Sequence, residues 1–195
     1  MSQQNTNTAN TANTQQARTI AAVDHGKLDL KALTLYAILL AAGFVLNLTI
    51  SKFFSGLTGG FLSPEFIIAA FCLEILIIKP NIGQAAVIGL LAGVVIQITA
   101  SVKGPDLIAE PVVAVVMALL VSALADSKAK GLLPLVGTFV VTFISGIIYA
   151  VIFAFLIMKN PAFVGVMAPV VAATGVANAI IVAALHLPIK KALKL

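Results

Sequence analysis

Seven side chains in or beside the long apolar stretches of this chain can bind a small polar molecule. They supply amide, phenol, ammonium and carboxylate groups: Asn47, Gln97, Lys103, Asp106, Glu110, Tyr149 and Asn178. Charges of both signs suit a zwitterion, because its carboxylate needs a cation and its ammonium needs an anion. These residue types therefore predict a binding site for a small solute.

Polar residues also recur at the spacing of one helical turn within single apolar stretches, which places them on one helix face. Such a face predicts either a polar cavity or hydrogen bonds between helices, each worth about 0.6–2 kcal/mol in a membrane. The sets are Asn47 with Ser51, Gln97 with Ser101, Thr174 with Asn178, and Thr138, Thr142 and Ser145 with Tyr149.

The elements that must position these groups are six long apolar stretches. Of the 195 residues, 61% are hydrophobic and only 10% are charged, and a soluble core of this size cannot bury so much apolar surface. We therefore predict an all-α, polytopic protein of the cell membrane with a bundle of six transmembrane helices. The predicted helices are Leu33 to Phe53, Leu62 to Ile78, Ile82 to Ser101, Leu107 to Ala125, Leu132 to Met158 and Phe163 to Leu187.

Basic residues indicate the orientation of the bundle. Six crossings place both termini on one side, where nine basic residues then lie, against three on the other side, Lys52, Lys103 and Lys159. Because cytoplasmic loops carry an excess of lysine and arginine, both termini are predicted to be cytoplasmic. Most of the polar side chains then fall in the outward half of the bundle.

The chain divides into a polar tail, residues 1–26, and a membrane domain, residues 27–195. The tail is rich in Asn, Gln, Thr and Ala, with too few large apolar groups to offset the entropy of ordering. It is therefore predicted to be disordered and cytoplasmic. The net charge of +5 is spread over tails and short loops, so it indicates membrane topology and no nucleic acid partner is expected.

Sequence motifs of common enzymes are absent. The chain has no GxxxxGK[ST], HExxH or GxSxG motif and no zinc-binding array of Cys and His. Glu74 and His186 lack an evident nucleophile or metal partner, and Glu74 either pairs with Lys79, snorkels toward the interface or has a coupling role. We therefore predict that the protein is not an enzyme and needs no metal or cofactor.

Several short motifs resemble a known transporter family. The six predicted helices, together with Ala37-Ile-Leu-Leu-Ala41 in the first of them, resemble the substrate-binding (S) components of energy-coupling factor transporters and their AxxxA element. From Ser63 to about Val116 the chain is most similar to the bacterial tryptophan transporter family. The similar features are Pro64-Glu65, Pro80, the spacing of Gly89 and Gly93, and the run from Pro105 to Pro111.

The resemblance implies a membrane subunit that captures a solute outside the cell, with tryptophan as the expected substrate. It also implies a transmembrane coupling subunit, which contacts Ala37 and Ala41, and two cytoplasmic ATPases that drive release. Two alternatives remain open at this point. One is an S component for a vitamin, and the other is a membrane scaffold or assembly protein without a small-molecule ligand.

Overall fold

The computed structural model describes residues 29–100 and 102–193, in which helices and turns occur without any strand. The predicted all-α class is confirmed for this part of the chain. The predicted tail, residues 1–26, and Ser101 lie outside the described residues. Five of the described helices are long and apolar enough to cross a membrane.

Six helical segments, α1 to α6, follow one another along the described chain. Their bounds are Leu30–Leu57, Phe66–Ile78, Ile82–Thr99, Pro105–Ala123, Lys128–Met158 and Ala162–Ala192. They agree with the predicted stretches to within a few residues. Segment α1 contains a π-helical turn at Asn47–Ser51, whereas α5 starts with a 3-10 turn at Lys128–Leu132 and has π-helical turns at Leu133–Gly137 and Phe153–Met158.

The surface of the bundle is apolar. Large side chains point outward from every long helix, and Ile98 and Leu156 are 68% and 73% exposed. An apolar surface on this scale would not be stable in water, whereas lipid solvates it without cost. Together with the long apolar helices, it identifies a multi-pass membrane protein.

Helix α2 lies at the centre of the bundle and is shorter than predicted. It has 13 residues, twelve of them buried, and packs against all five other helical segments. Residues 62–65, which include Pro64, are not helical, and the helix begins at Phe66. A proline ring disfavours helical backbone at the preceding residue, which explains part of this delay. Thirteen residues span about 20 Å, which is less than the roughly 30 Å of a bilayer core.

Helices α3 and α4 pack closely because two glycines of α3 face the backbone of α4. A Cβ added to Gly93 would lie 2.8 Å from the carbonyl oxygen of Asp106, and one added to Gly89 would clash with that of Glu110. Small residues at this spacing allow close helix contact in membranes. The contact fixes the backbone of the first turns of α4, where both acidic residues lie.

Candidate functional site

A cavity of about 330 Å³ lies at one end of the bundle. It is lined by the last part of α1, the residues before α2, the end of α3, the start of α4, the second half of α5 and the first half of α6. Because helix ends and helix starts alternate in this lining, consecutive helices run in opposite directions. Asp29 and Leu193, at the two ends of the described chain, therefore lie at the other end of the bundle. The polar lining residues are Asn47, Ser51, Lys52, Ser63, Glu65, Thr99, Asp106, Glu110, Thr142, Ser145, Tyr149 and Thr174.

Four of the seven residues predicted to bind a ligand line this cavity. They are Asn47, Asp106, Glu110 and Tyr149. The structure brings these four together from α1, α4 and α5, which are far apart in sequence. Of the four residues on the shared face predicted for α5, Thr142, Ser145 and Tyr149 line the cavity. The fourth, Thr138, is buried outside the lining.

Gln97 and Lys103 do not line the cavity. The Gln97 side-chain oxygen accepts a hydrogen bond from the Gly104 backbone N–H at 2.8 Å, and the exposed Lys103 donates to the Gln97 carbonyl oxygen. These bonds close the loop between α3 and α4. Both residues therefore order the loop, and their predicted contact with a ligand is not seen in the geometry.

Asn178 lies beneath the cavity and pairs with Glu65, the residue that precedes α2. Its Oδ1 accepts from the Glu65 backbone N–H at 2.9 Å, and its Nδ2 donates to the Glu65 carbonyl at 3.2 Å and to Thr142 Oγ1 at 3.3 Å. Asn47 of α1 also bonds to Glu65 and to the next residue, Phe66. Its Oδ1 accepts from the Phe66 N–H at 2.7 Å, and its Nδ2 donates to Glu65 Oε2 at 2.8 Å.

These two asparagines supply what the start of α2 needs. The first N–H groups of a helix have no partner within the helix, and lipid or a dry interior offers none. Asn47 from α1 and Asn178 from α6 provide the acceptors instead. Asn47 also orients the carboxyl of Glu65, a residue that lines the cavity.

Glu110 lies in the wall of the cavity, where α4 meets α5. Its Oε1 accepts a hydrogen bond from the Ser145 hydroxyl at 2.7 Å, and the side chain is only 1% exposed. Its Oε2 has no hydrogen-bond partner among the residues that the structure describes. One oxygen is thus held by the protein, and the other is buried without a donor among the described residues.

Several lining residues were not among the predicted site residues. Lys52 supplies an amino group to the lining, although the sequence indicated it only as a charge of the outer side. Lys52 is five residues after Asn47, and in a regular α-helix this spacing would place the two side chains on different faces, so no sequence pattern indicates it. Apolar lining residues such as Met167 and Val171 give no signal either, since they resemble the lipid-facing residues around them.

Aromatic rings lie on the α5 and α6 side of the cavity. Tyr149, which lines the cavity, stacks on Phe153 with ring centroids 6.0 Å apart and an interplanar angle of 11°. Phe153 contacts Phe163 of α6 at 5.1 Å. The cavity wall therefore contains an aromatic residue that is held in place by a second ring.

Glu74 lies apart from the cavity, in the buried centre of α2. It is 0% exposed, and neither carboxyl oxygen has a hydrogen-bond partner within the described residues. The predicted pairing with Lys79 and the predicted snorkelling are therefore wrong. Within residues 29–100 and 102–193, no three His, Cys, Asp or Glu side chains are arranged to hold one metal ion.

Ala37 and Ala41, predicted to contact a partner, lie exposed on α1. The opposite face of α1 is buried through Tyr36 and Gly43, which pack toward the rest of the bundle. Tyr36 also donates from its hydroxyl to the Ile88 carbonyl of α3 at 2.6 Å. The two alanines thus form a small-residue surface that no described residue covers.

No family model matches this chain, and no curated protein or solved structure matches it significantly. The resemblance to energy-coupling factor S components therefore stays a prediction, and the interpretation of the cavity depends on its own geometry.

Proposed function

We propose that this chain is the substrate-specific S component of an energy-coupling factor importer that captures a small nutrient, with tryptophan as the first candidate. The observation that carries the proposal is a polar cavity at one end of an otherwise apolar bundle. Its volume of about 330 Å³ is at the lower end of the range for small-molecule sites. Polar and charged residues at membrane depth are costly, which favours a binding role for those that line the cavity.

The distribution of lysines supports six crossings, cytoplasmic termini and a cavity that opens to the outside. At the cavity end lie Lys52, Lys103 and Lys159, and at the opposite end lie Lys31, Lys79, Lys128, Lys130, Lys190 and Lys191. Cytoplasmic ends carry the excess of basic residues. In this topology the non-helical residues before α2 complete the second crossing within protein surroundings, as is required of irregular backbone in a membrane.

The exposed alanines of α1 support a partner in the membrane. Small residues let two helix backbones approach closely, and Ala37 and Ala41 lie one turn apart on an uncovered face. The chain has no phosphate-binding loop, so any ATP hydrolysis belongs to other subunits. We propose a transmembrane coupling subunit at this surface and two ATPases beneath it.

Co-purification tests the partner. The chain, isolated in mild detergent from its own host, is expected to bring a transmembrane subunit and ATPases with it. Replacing Ala37→Leu and Ala41→Leu together should remove these subunits without weakening ligand binding, whereas Ala184→Leu, at an exposed alanine of α6, should not. Recovery of the unaltered chain alone would contradict the proposal and favour a solitary carrier or a scaffold.

Thermal shift against tryptophan and a panel of vitamins tests the substrate. A ligand at about 100 times its dissociation constant raises the free energy of unfolding by roughly 2.7 kcal/mol, which is a readily measured shift. Stabilisation by tryptophan supports the proposal, and stabilisation by a vitamin instead identifies a different S component. A scaffold would show no saturable stabilisation by any small molecule.

A further inference from the structure

The charged groups of the cavity lining are unbalanced. Among the described lining residues, Glu65, Asp106 and Glu110 supply three carboxyl groups and Lys52 supplies one amino group. Lys52 is exposed, whereas Asp106 and Glu110 are 8% and 1% exposed. The amino group therefore lies toward solvent, and carboxyl groups dominate the protected part of the cavity.

The second oxygen of Glu110 indicates what this part of the cavity binds. Ser145 already occupies Oε1, and Oε2 lacks a partner in the described part of the chain. A buried acceptor without a donor costs about 1–3 kcal/mol. Since the side chain lines the cavity, a bound molecule can supply the missing donor.

We propose that the cavity selects an organic cation, whose ammonium group donates to Glu110 Oε2 and is balanced by Asp106 and Glu65. This inference rests on the proposed function, because it names the ligand class of the same cavity. A hydrogen bond between an ammonium and a carboxylate is shorter and stronger than a neutral one. Lys52, at the exposed side, contacts the carboxylate of those ligands that have one, such as an amino acid.

The rest of the lining fits an organic body and not a metal ion. In the described residues no three acidic, Cys or His side chains are arranged to hold one metal ion. The cavity also has apolar walls from Ile68, Met167 and Val171. Tyr149 adds an aromatic ring to the lining, and aromatic rings attract cations and pack against other aromatic groups.

Two matched series of compounds test this charge preference on the purified chain. The first is tryptamine, tryptophan and indole-3-propionate, and the second is phenethylamine, phenylalanine and 3-phenylpropionate. Since the chain contains no Trp, indole fluorescence reports the ligand alone, and calorimetry follows the phenyl series. We expect at least one amine to bind, and each amine that binds to do so more than about tenfold tighter than its matched acid.

Charge-neutral variants assign the effect to one residue. Glu110→Gln keeps the shape and an oxygen for Ser145 but removes the negative charge, so affinity for the amine should fall more than about tenfold. The matched control is Glu74→Gln, at the other buried carboxyl with a free oxygen, which lies outside the cavity lining. It should leave amine affinity unchanged.

Three results would overturn the inference: no amine binds, an acid binds as tightly as its matched amine, or Glu110→Gln retains full amine affinity. Size-exclusion chromatography and circular dichroism establish that each variant is folded, so that lost binding is not lost structure. These measurements use the isolated chain. If the chain prefers amines but no ATPase co-purifies with it, the importer proposal is refuted and the cation site is supported. If ATPases co-purify but the chain shows no amine preference, the cation site is refuted and the importer proposal is supported.

Discussion

Asn47 and Asn178 use their carboxamides to pair backbone groups at the start of α2. From residue type and spacing, both resemble ligand-binding groups as much as Glu110 does. The two asparagines differ from Glu110 in the backbone beside them. They lie next to the start of α2, after Pro64, where the first N–H groups of the helix need acceptors from other helices. The carboxamides of Asn47 and Asn178 are therefore used in hydrogen bonds within the protein. The Glu110 carboxyl, which has one oxygen without a partner in the described residues, is the better indicator of a ligand.

Replacing Asn178→Ala is expected to destabilise the folded chain by about 1–3 kcal/mol, because the Glu65 backbone groups lose their partners in a part-buried site. Thermal unfolding in detergent measures the effect. Thr34→Ala is the control, since the exposed Thr34 hydroxyl bonds only to the Leu30 carbonyl of its own helix turn. Equal melting temperatures for the two variants would contradict the role of Asn178.

Glu74 leads to a prediction of the opposite sign. Both carboxyl oxygens are buried and lack partners among the described residues, so a methionine of similar shape should relieve an unfavourable burial. We expect Glu74→Met to stabilise the isolated chain by about 1–3 kcal/mol, measured by thermal unfolding. A loss of stability would contradict this prediction.

At the scale of helices, the contact between α3 and α4 determines where the acidic residues of the cavity lie. Gly89→Ala should destabilise the bundle by about 1–3 kcal/mol, because the new methyl group meets the Glu110 carbonyl and Pro111. Gly83→Ala, in the first turn of the same helix, meets only Asn81 Oδ1 at 3.5 Å and should stabilise the bundle by about 0.4–1 kcal/mol, because alanine has less freedom than glycine in the unfolded chain. Unfolding of both variants in detergent tests this difference in sign, and stabilisation by Gly89→Ala would refute the close contact.

The helices themselves could be predicted because apolar runs and loop residues are local features of the sequence. The direction in which a side chain at a helix end points could not be predicted from the sequence. Lys52 and Lys103 are both lysines at the same end of the bundle, yet only Lys52 lines the cavity. Its orientation follows from the π-helical turn at Asn47–Ser51, and that of Lys103 from the loop closed by Gln97, neither of which has a recognisable sequence signal. Similarly, the late start of α2 depends on acceptors from α1 and α6.

In the whole molecule, the central helix and the cavity depend on each other. α2 packs against all five other helical segments, and the N–H of its first residue donates to Asn47, which also lines the cavity. Since all six helical segments contribute to the lining, movement of any helix would alter the site. The uncovered alanines of α1 lie outside this arrangement, so a partner can bind there without contacting the ligand.

The orientation of the bundle gives a prediction for the whole molecule, and the chain is well suited to test it. Its single cysteine, Cys72, is buried and can be replaced by alanine, after which Lys103→Cys and Lys128→Cys place one exposed thiol at each end of the bundle. Because the cavity end has fewer lysines, we expect it to face outward. A membrane-impermeant maleimide should therefore label Lys103→Cys in intact cells, and Lys128→Cys only after permeabilisation. Labelling in the reverse order would place the cavity on the cytoplasmic side, where it could not capture an external solute, and the proposed import function would then be excluded.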